Sequence, residues 1–529
     1  MDPAATPSET KPFNRRLALL LAMAMFVLVV DTSIMNVSIS AVVEDLGTTA
    51  SGVQGAIALE ALVSAAFILI GSKTGDLIGR KLAYILGLLG YAVGAVAMTL
   101  AQGLTAIIVF WAVIGGIGAS LLLPAMQSLI HGNFEGAEQR RVYALVGASA
   151  AIAAAVGPLL GGFITTFLSW RVGFALEAVI IAVVLSGIGL VKDVKYTGSR
   201  VVDWGGAALS VVGMGGVVLG ILVWQEGGEY VAIIIGIGIL ALSSFAWWLR
   251  DRKRRGKATL IDPGLFSSKV FQSGVSGQLL QQVALGGTMI VLPLYLQLVL
   301  EYNALSAGLS IAPLSLSMFV VAMLAGKRAK GRPSNIILWG FVLLVVGIAV
   351  IIPLVPRADS GWWLTIPLII AGCGLGLLVS QLNNYTLSPI TDERVSEAAG
   401  VNSAAGSFGL SFGLAFAGAI MLAVLAFSFT ARTEASTVLS PDQQQQVAAV
   451  LEEDAELMST TQLEELLADE TPEVQEEIIA INTEARPISL QVALLVPLLA
   501  GLLGIVNAFR MRRLPDPKPS AAAEGTMLG

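Results

Sequence analysis

The sequence predicts an all-α membrane protein with fourteen transmembrane helices. The chain has 529 residues, of which 55% are hydrophobic and 13% charged, and its mean hydropathy is +0.80. These values lie far outside the range of soluble domains. Fourteen apolar segments of about twenty residues or more follow one another, each long enough to cross a bilayer as a helix. The strands of a membrane β-barrel would be only about ten residues long, so the pattern favours helices.

Lysine and arginine residues predict how the spans are oriented. If the amino terminus is cytoplasmic, only four of the 31 basic residues fall in outer segments: Arg171, Arg357, Arg432 and Arg486. Positive residues resist translocation, so this arrangement is favoured. An even number of spans returns the carboxyl terminus to the same side. We therefore expect both termini in the cytoplasm and the protein in the cell membrane, inner or plasma, of a prokaryote.

An acidic segment, residues 430–487, interrupts the apolar pattern before the last span. It holds 14 of the 37 acidic residues and falls on the predicted outer face. Its apolar residues recur at helical spacing, which predicts two or three short amphipathic helices outside the membrane. Helix starts are predicted at Ser440–Pro441, at Thr461 in "TQLEELL" and at Thr471–Pro472. The segment could shield the outer mouth as a solvated cap, or it could collect cations or dock a partner.

Three carboxylates lie inside predicted spans. Asp31, in "FVLVVDTSIMNV", and Glu60 share a similar depth in the outer half of the membrane, counting about 1.5 Å per residue. Glu177 is also in the outer half, where it could instead reach the interface. Buried acids are costly, which makes them candidates for function, and desolvation with mutual repulsion favours their protonated form. We expect exchange of H⁺ for cargo at Asp31, although a structural role for each acid stays open.

Uncharged polar residues are the candidates in the later spans. They could line a substrate cavity, or they could bond neighbouring helices together. These residues are Gln278, Gln281, Gln282, Asn383 and Asn384.

Two glycine-rich motifs lie at span junctions. "GSKTGDLIGRK", residues 71–81, joins spans two and three, where an acid and a base could form a latch between sliding helices. "GPLLGG", residues 157–162, combines a proline bend with a close-packing surface in span five. The residues we single out are Asp76, Gly79, Arg80 and Lys81 in the first motif, and Gly157, Pro158, Gly161 and Gly162 in the second.

With "VVDWGGAAL" at 201–209 and "LPLYLQLVLEYNALSAGLSIAP" at 292–313, these motifs resemble the major facilitator superfamily, specifically its fourteen-span drug:proton antiporter family. The resemblance implies the major facilitator fold, two six-helix halves plus two inserted spans. Span four departs from the family pattern, because Ala112 and Gly115 replace an arginine and a glutamine. The usual intramembrane cation is therefore missing.

The implied organisation has six parts. They are a cytoplasmic tail at 1–16, a six-helix half at 17–191, two inserted helices at 204–249, a basic cytoplasmic linker at 250–270, a second six-helix half at 271–508 that includes the acidic segment at 430–487, and a cytoplasmic tail at 509–529.

No motif predicts an enzyme, a cofactor or a metal site, and no phosphate loop indicates ATP as an energy source. We expect a proton-coupled exporter of amphiphilic, cationic compounds such as drugs. An envelope lipid or glycolipid transporter of the same fold is one alternative, and a transport-inactive membrane sensor or scaffold is another. The expected partners are a small amphiphilic substrate, protons and the lipid bilayer, with no nucleic acid, and we expect a monomer.

Overall fold

The computed structural model describes most of the chain, and its regular structure is helical. The described residues are 14–134, 136–193, 201–225, 228–328, 332–390, 394–441, 444, 460–468 and 470–514. Within these ranges there is no β-strand.

The first half of the chain folds into eight helices and one π-helical stretch. A one-residue break at Ser38 separates the first two helices, and the π-helix precedes α6 without a break. The elements are α1 (Arg15–Val37), α2 (Ile39–Leu46), α3 (Ala50–Ile78), α4 (Arg80–Leu100), α5 (Leu104–Ala106), a π-helix (Ile107–Gly115), α6 (Gly116–Asn133), α7 (Gly136–Phe167) and α8 (Trp170–Ser186).

The rest of the chain adds ten helices and a second π-helix at the end of α11. The elements are α9 (Trp204–Gln225), α10 (Val231–Arg254), α11 (Lys269–Leu294), a π-helix (Tyr295–Val299), α12 (Ala304–Arg328), α13 (Pro333–Leu354), α14 (Thr365–Leu387), α15 (Val395–Ala435), α16 (Thr460–Leu466), α17 (Pro472–Ala493) and α18 (Leu495–Arg512). Short 3₁₀ turns occur at Ile188–Leu190, Pro263–Ser267 and Gly361–Leu364.

Fourteen helical segments of the described chain are long and apolar enough to cross a membrane, which confirms the predicted all-α fold class. Their burial separates central from peripheral spans. In α3, 78% of the apolar window is buried inside the protein, whereas in α10 the share is 11%. α3 therefore lies in the interior of the bundle, and α10 faces the lipid.

The two halves pack mainly through two helix pairs, α3 with α15 and α7 with α12. We call the end of the bundle that carries Arg80, Lys253 and Arg512 the basic end, and the end that carries the described part of residues 430–487 the acidic end. At the acidic end the backbone N–H of Leu305, in α12, donates to Thr166 Oγ1 of α7 at 3.0 Å. The halves are thus in direct contact at the acidic end.

The inserted helices α9 and α10 form a hairpin that is fixed by one buried carboxylate. Asp203 accepts from the backbone N–H of Gly206 at 3.0 Å, which caps α9, and from Trp248 Nε1 of α10 at 3.0 Å. It also accepts from the backbone N–H of Leu260 in the following linker, at 3.3 Å. One side chain therefore joins both inserted helices to the linker.

The linker is fastened in turn to the start of α15. Asp262 pairs with Lys253 and with Arg394, at 2.5 and 2.8 Å. Partial burial acts to raise the pKa of Asp262, but the hydrogen bonds from Lys253 and Gly264 and the charge of Arg394 outweigh it, so the net pKa is lowered. The linker is thus held by charge at the basic end.

At the acidic end, two helices cross the predicted limits of the acidic segment, one at each limit. α15 continues to Ala435, and the helix predicted to start at Thr471–Pro472 runs without interruption towards the last span as α17. A short helix, α16, forms where "TQLEELL" predicts one. The helix start predicted at Ser440–Pro441 leads into residues that lie largely outside the described ranges. Arg432 and Glu484 form an ion pair that joins α15 to α17.

Candidate functional site

Asp31 is fully buried in α1 and is held by two aromatic side chains. Its exposed fraction is 0%. The Tyr91 hydroxyl of α4 donates to Asp31 Oδ2 at 2.5 Å. The Trp111 Nε1–H, from the π-helix of span four, lies 3.0 and 2.9 Å from the two carboxylate oxygens. Both donors are neutral at physiological pH, so Asp31 is oriented without a partner cation.

Glu177, in α8, lies beside Asp31. Its exposed fraction is 2%. Among the described residues neither carboxylate oxygen has a partner of ordinary hydrogen-bond geometry, yet the carboxyl group is close enough to that of Asp31 for the two to interact directly. The Glu177 side chain is therefore enclosed by the protein in this structure. A proton shared with Asp31 would satisfy both acids.

Glu60, in α3, is the third acid of the site and has an exposed fraction of 8%. The charge of Asp31 acts on Glu60, and the charge of Glu60 acts on Tyr91. None of the ion pairs in the described part of the chain involves Asp31, Glu60 or Glu177. We call these three residues the acid cluster. Three carboxylates without a cation repel one another in a dry site, so the cluster can take up protons.

Tyr91 and Trp111 are not among the candidate residues that the sequence supplied. Trp111 directly precedes Ala112, which replaces the family's arginine, and a π-helix carries both residues. π-helical turns are frequent at functional sites because they shift side chains relative to a regular helix. A signal was present in the sequence, since a tyrosine and a tryptophan buried in mid-membrane spans need partners for their O–H and N–H groups.

The loop motif forms an ion pair inside the first half. Asp76 and Arg80 pair across the turn between α3 and α4, and both are buried. Arg80 also donates to the backbone carbonyl of Ser72, at 3.1 Å. Asp193, from the segment after α8, accepts the backbone N–H of Lys81 at 2.9 Å and so caps α4. The contacts of Asp76 and Arg80 bring α3 and α4 together.

Gly79 makes the sharp turn between α3 and α4 possible. Its φ is +100°, in the region that favours glycine. A Cβ atom added there would lie 2.7 Å from an Asp193 carboxylate oxygen. The turn therefore requires glycine both for its backbone conformation and for space.

The "GPLLGG" motif packs α7 against two other helices. A Cβ atom on Gly161 would lie 2.9 Å from Ile34 Cα in α1, and one on Gly162 would lie 2.5 Å from the carbonyl oxygen of Ala304. Gly157 faces α1 at Ser33, and the carbonyl of Pro158 abuts Gly308 of α12. The motif thus lies where α7 contacts both its own half and the other half.

The amide side chains of the second half lie apart from the acid cluster. Gln278 and Gln282, on α11, face Gly406 of α15, and both are partly exposed. Asn402 Nδ2 of α15 donates to Asn383 Oδ1 of α14 at 3.2 Å. Asn402 is absent from the candidates that the sequence supplied.

The depth of these amides differs from that of the acids. Gln278 is nine residues from the start of α11, so about 14 Å from the basic end, while Asp31 is sixteen residues into α1, about 24 Å from it. Gln281 and Asn384 are buried on other faces of their helices. Gln278 therefore lies nearer the basic end than Asp31.

The described residues contain no group of three or more histidine, cysteine, aspartate or glutamate side chains that could hold a metal ion.

Comparison with curated proteins finds relatives that are named as transporters or resistance proteins. The "Probable actinorhodin transporter" of Streptomyces coelicolor is 26% identical over 499 residues, which cover 92% of this chain and 84% of the relative. The "Puromycin resistance protein pur8" of Streptomyces alboniger is 27% identical and covers 78% and 84%. The "Multidrug resistance protein 3" of Bacillus subtilis is 27% identical and covers 76% and 78%.

Solved structures share the fold. A bacterial homologue of the human lysosomal transporter Spinster, in an inward-facing and unoccupied conformation, aligns with a TM-score of 0.61 at 12% identity, over 97% of this chain and all of the other. A D-xylose-proton symporter aligns with a TM-score of 0.55 at 13% identity, over 77% and 90%. The family described as "Major Facilitator Superfamily" matches residues 21–201 and 199–414. The chain therefore belongs to the major facilitator superfamily of multi-span membrane transporters.

Proposed function

We propose that this protein is a proton-coupled exporter of amphiphilic, cationic compounds, and that the acid cluster is its proton site. The observation that carries the proposal is the burial of Asp31 between neutral donors, with Glu177 and Glu60 beside it. Acids inside membrane spans are expensive to maintain and mark proton pathways in many transporters. A purely structural role would require only one buried acid with its hydrogen bonds satisfied, whereas this site holds three.

The chemistry of the cluster suggests how coupling works. When the cluster is protonated it is close to neutral and stable in a dry interior. When it loses a proton, the remaining negative charge is unbalanced, since no lysine or arginine of the described chain pairs with it. A cationic cargo that approaches the first half would relieve that charge. Proton release and cargo binding are therefore linked, and linkage requires each to affect the other equally.

The cargo class rests on the relatives and on the site together. The names of two relatives refer to resistance to puromycin and to several drugs. A transporter of such compounds needs apolar surface for the body of the cargo and a few polar groups to orient it. We assign that second task to the partly exposed amides Gln278, Gln282 and Asn383.

We further propose the orientation and the working unit. The basic end is cytoplasmic, with both termini on that side, because basic residues cluster there. The Asp76–Arg80 pair and the "GPLLGG" contact lie where α3 joins α4 and where α7 meets α12, so both are placed to respond when the halves rock. Each chain contains both halves and the full acid cluster, so a monomer is the working unit.

Transport in proteoliposomes with an imposed pH gradient tests this function. The purified protein is reconstituted, a fluorescent lipophilic cation such as ethidium is supplied, and the gradient is applied in either direction or omitted. We expect ethidium to move against its own gradient only when protons flow the opposite way. A panel that includes a neutral lipid analogue and an anionic dye defines the cargo class.

The control is Glu434→Gln, which removes an exposed carboxylate outside the acid cluster and should leave transport unchanged. Equal ethidium movement with and without the gradient would contradict proton coupling. Movement of the lipid analogue alone would instead favour the lipid transporter.

A further inference from the structure

The break between α1 and α2 leaves two backbone groups without their usual partners. In an uninterrupted helix the N–H of Ser40 would donate to the carbonyl oxygen of Asn36, four residues earlier. The chain departs from helical geometry at Ser38, whose φ and ψ are −103° and 4°, and the N–H of Ser38 bonds to Met35 instead. The acidic end of span one is therefore an interrupted helix.

One side chain from the other half fills this gap. Gln297 Oε1 accepts from the backbone N–H of Ser40 at 2.9 Å and from its hydroxyl at 2.9 Å. Gln297 Nε2 donates to the backbone carbonyl of Asn36 at 3.2 Å. A single carboxamide thus supplies both the acceptor and the donor that the broken helix lacks. Only a group with both functions on one short arm can do this, and glutamine is such a group.

Gln297 is itself rigidly placed. Its exposed fraction is 4%, and it belongs to the π-helix Tyr295–Val299 at the acidic end of α11. The neighbouring carbonyl of Leu298 accepts from Arg486 Nη1 of α17 at 3.0 Å. Glu301 accepts from the backbone N–H of Thr461 at 3.1 Å and so holds α16 to the same turn. The acidic segment therefore braces the helix end that carries Gln297.

We infer that Gln297 is a positioning residue of the transport cycle, whose hydrogen bonds keep the acidic end of the transporter closed. We call this contact the Gln297 latch, and in this subsection "latch" refers to it alone. It joins the second half to the interrupted helix of the first, beside the Thr166–Leu305 contact. Buried backbone groups that lose their partners are costly, which stabilises the closed state. When the acidic end opens, water can replace the carboxamide at Asn36 and Ser40, so the latch is reversible. The acidic segment then has a structural role, which is to hold Gln297 in position.

Distances between spin labels across the acidic end test the latch without reference to any cargo. Labels are attached to cysteines at Glu44 and Asp359, both exposed and in different halves, after Cys373→Ser removes the native thiol. The test variant is Gln297→Met, which keeps the length of the side chain and removes its hydrogen bonds. We expect the population at long distance to rise at least twofold in lipid nanodiscs.

The matched control is Gln225→Met. Gln225 is also a buried glutamine, and its carboxamide donates to the backbone carbonyl of Ala415, between α9 and α15. The same chemical change there should leave the distance distribution unaltered. Ser40→Ala, which removes only the hydroxyl bond, should produce a smaller shift in the same direction and serves if Gln297→Met does not fold. Unchanged distances in a folded Gln297→Met variant would overturn the latch. If Gln297→Met does not fold, unchanged distances in Ser40→Ala would overturn it.

Discussion

The two halves of this transporter have the same architecture but carry different polar groups at different depths. The first half buries Asp31, Glu60 and Glu177, and Asp31 lies about 24 Å from the basic end, measured along α1. The second half has amides, with Gln278 about 14 Å from that end. Pseudo-symmetry of the helices thus does not extend to their chemistry. We propose that one half exchanges protons and that the other forms neutral hydrogen bonds.

The difference has a physical basis. Carboxyl groups change charge when they gain or lose a proton, and the energetic cost of that charge is larger in a dry environment than in water. Amides keep the same charge at every pH and hold both donors and acceptors, so they can bind cargo without entering the proton balance. We therefore expect mutations in the acid cluster to uncouple transport from the pH gradient. Mutations of the amides Gln278, Gln282 and Asn383 should change affinity alone.

The largest effect is expected for Asp31→Asn. The variant keeps the shape of the side chain and can still bond to Tyr91 and Trp111, so it should fold, but it cannot carry a proton. Coupling energies of about 1–3 kcal/mol correspond to roughly 5–150-fold. The ratio of cargo accumulated with and without a pH gradient should fall by that factor in proteoliposomes. An unchanged ratio would remove Asp31 from the mechanism.

The two other acids should differ from one another. Glu177 interacts directly with Asp31, whereas Glu60 is influenced by the charge of Asp31 and forms no hydrogen bond with it among the described contacts. Glu177→Gln should reduce the gradient-dependent accumulation about fivefold, the lower bound of typical coupling, and Glu60→Gln should do so less. The pH profile of transport measures both. A larger shift for Glu60→Gln would mean that the proton is shared mainly between Asp31 and Glu60.

The sequence predicts much of this comparison, and the missing parts are those set by tertiary contacts. Hydropathy alone predicts the spans, because a chain that crosses the membrane must satisfy its backbone hydrogen bonds internally, which an apolar helix does. Counting along helices predicts that Asp31 and Glu60 share a depth. It could not predict that Glu177 turns inward, because a position near the interface permits either direction. The roles of Trp111 and Gln297 depend on π-helices, and a hydrophobic run gives no sign of a change in helical pitch.

A smaller effect is expected for Asp76→Asn, which belongs to neither polar group. It leaves Arg80 buried without its partner, at a cost of about 1–3 kcal/mol. Turnover should fall several-fold while cargo binding remains measurable, because the pair joins α3 to α4 and has no contact with the acid cluster. Stopped-flow transport and equilibrium binding separate the two quantities. Full turnover in the variant would exclude the loop from the conformational change.

The smallest effect should come from the second half. Gln278→Leu removes one hydrogen-bonding group that is partly exposed between α11 and α15. A net hydrogen bond contributes about 0.5–1.5 kcal/mol, so KM for the cargo should rise roughly two- to tenfold with the pH dependence intact. The matched control is Gln281→Leu, because Gln281 is buried on another face of α11. A change in coupling with Gln278→Leu would break the division of labour between the halves.

The most direct test of the proton site is the release of protons when cargo binds. Ethidium is added to the detergent-solubilised protein in weak buffer, and the protons released per molecule bound are counted between pH 6 and 8. The acid cluster predicts release in the wild type, tighter binding as the pH rises, and loss of both in Asp31→Asn, with release retained in Gln278→Leu. Equal proton release from the wild type and from Asp31→Asn would contradict the assignment of the proton to the acid cluster.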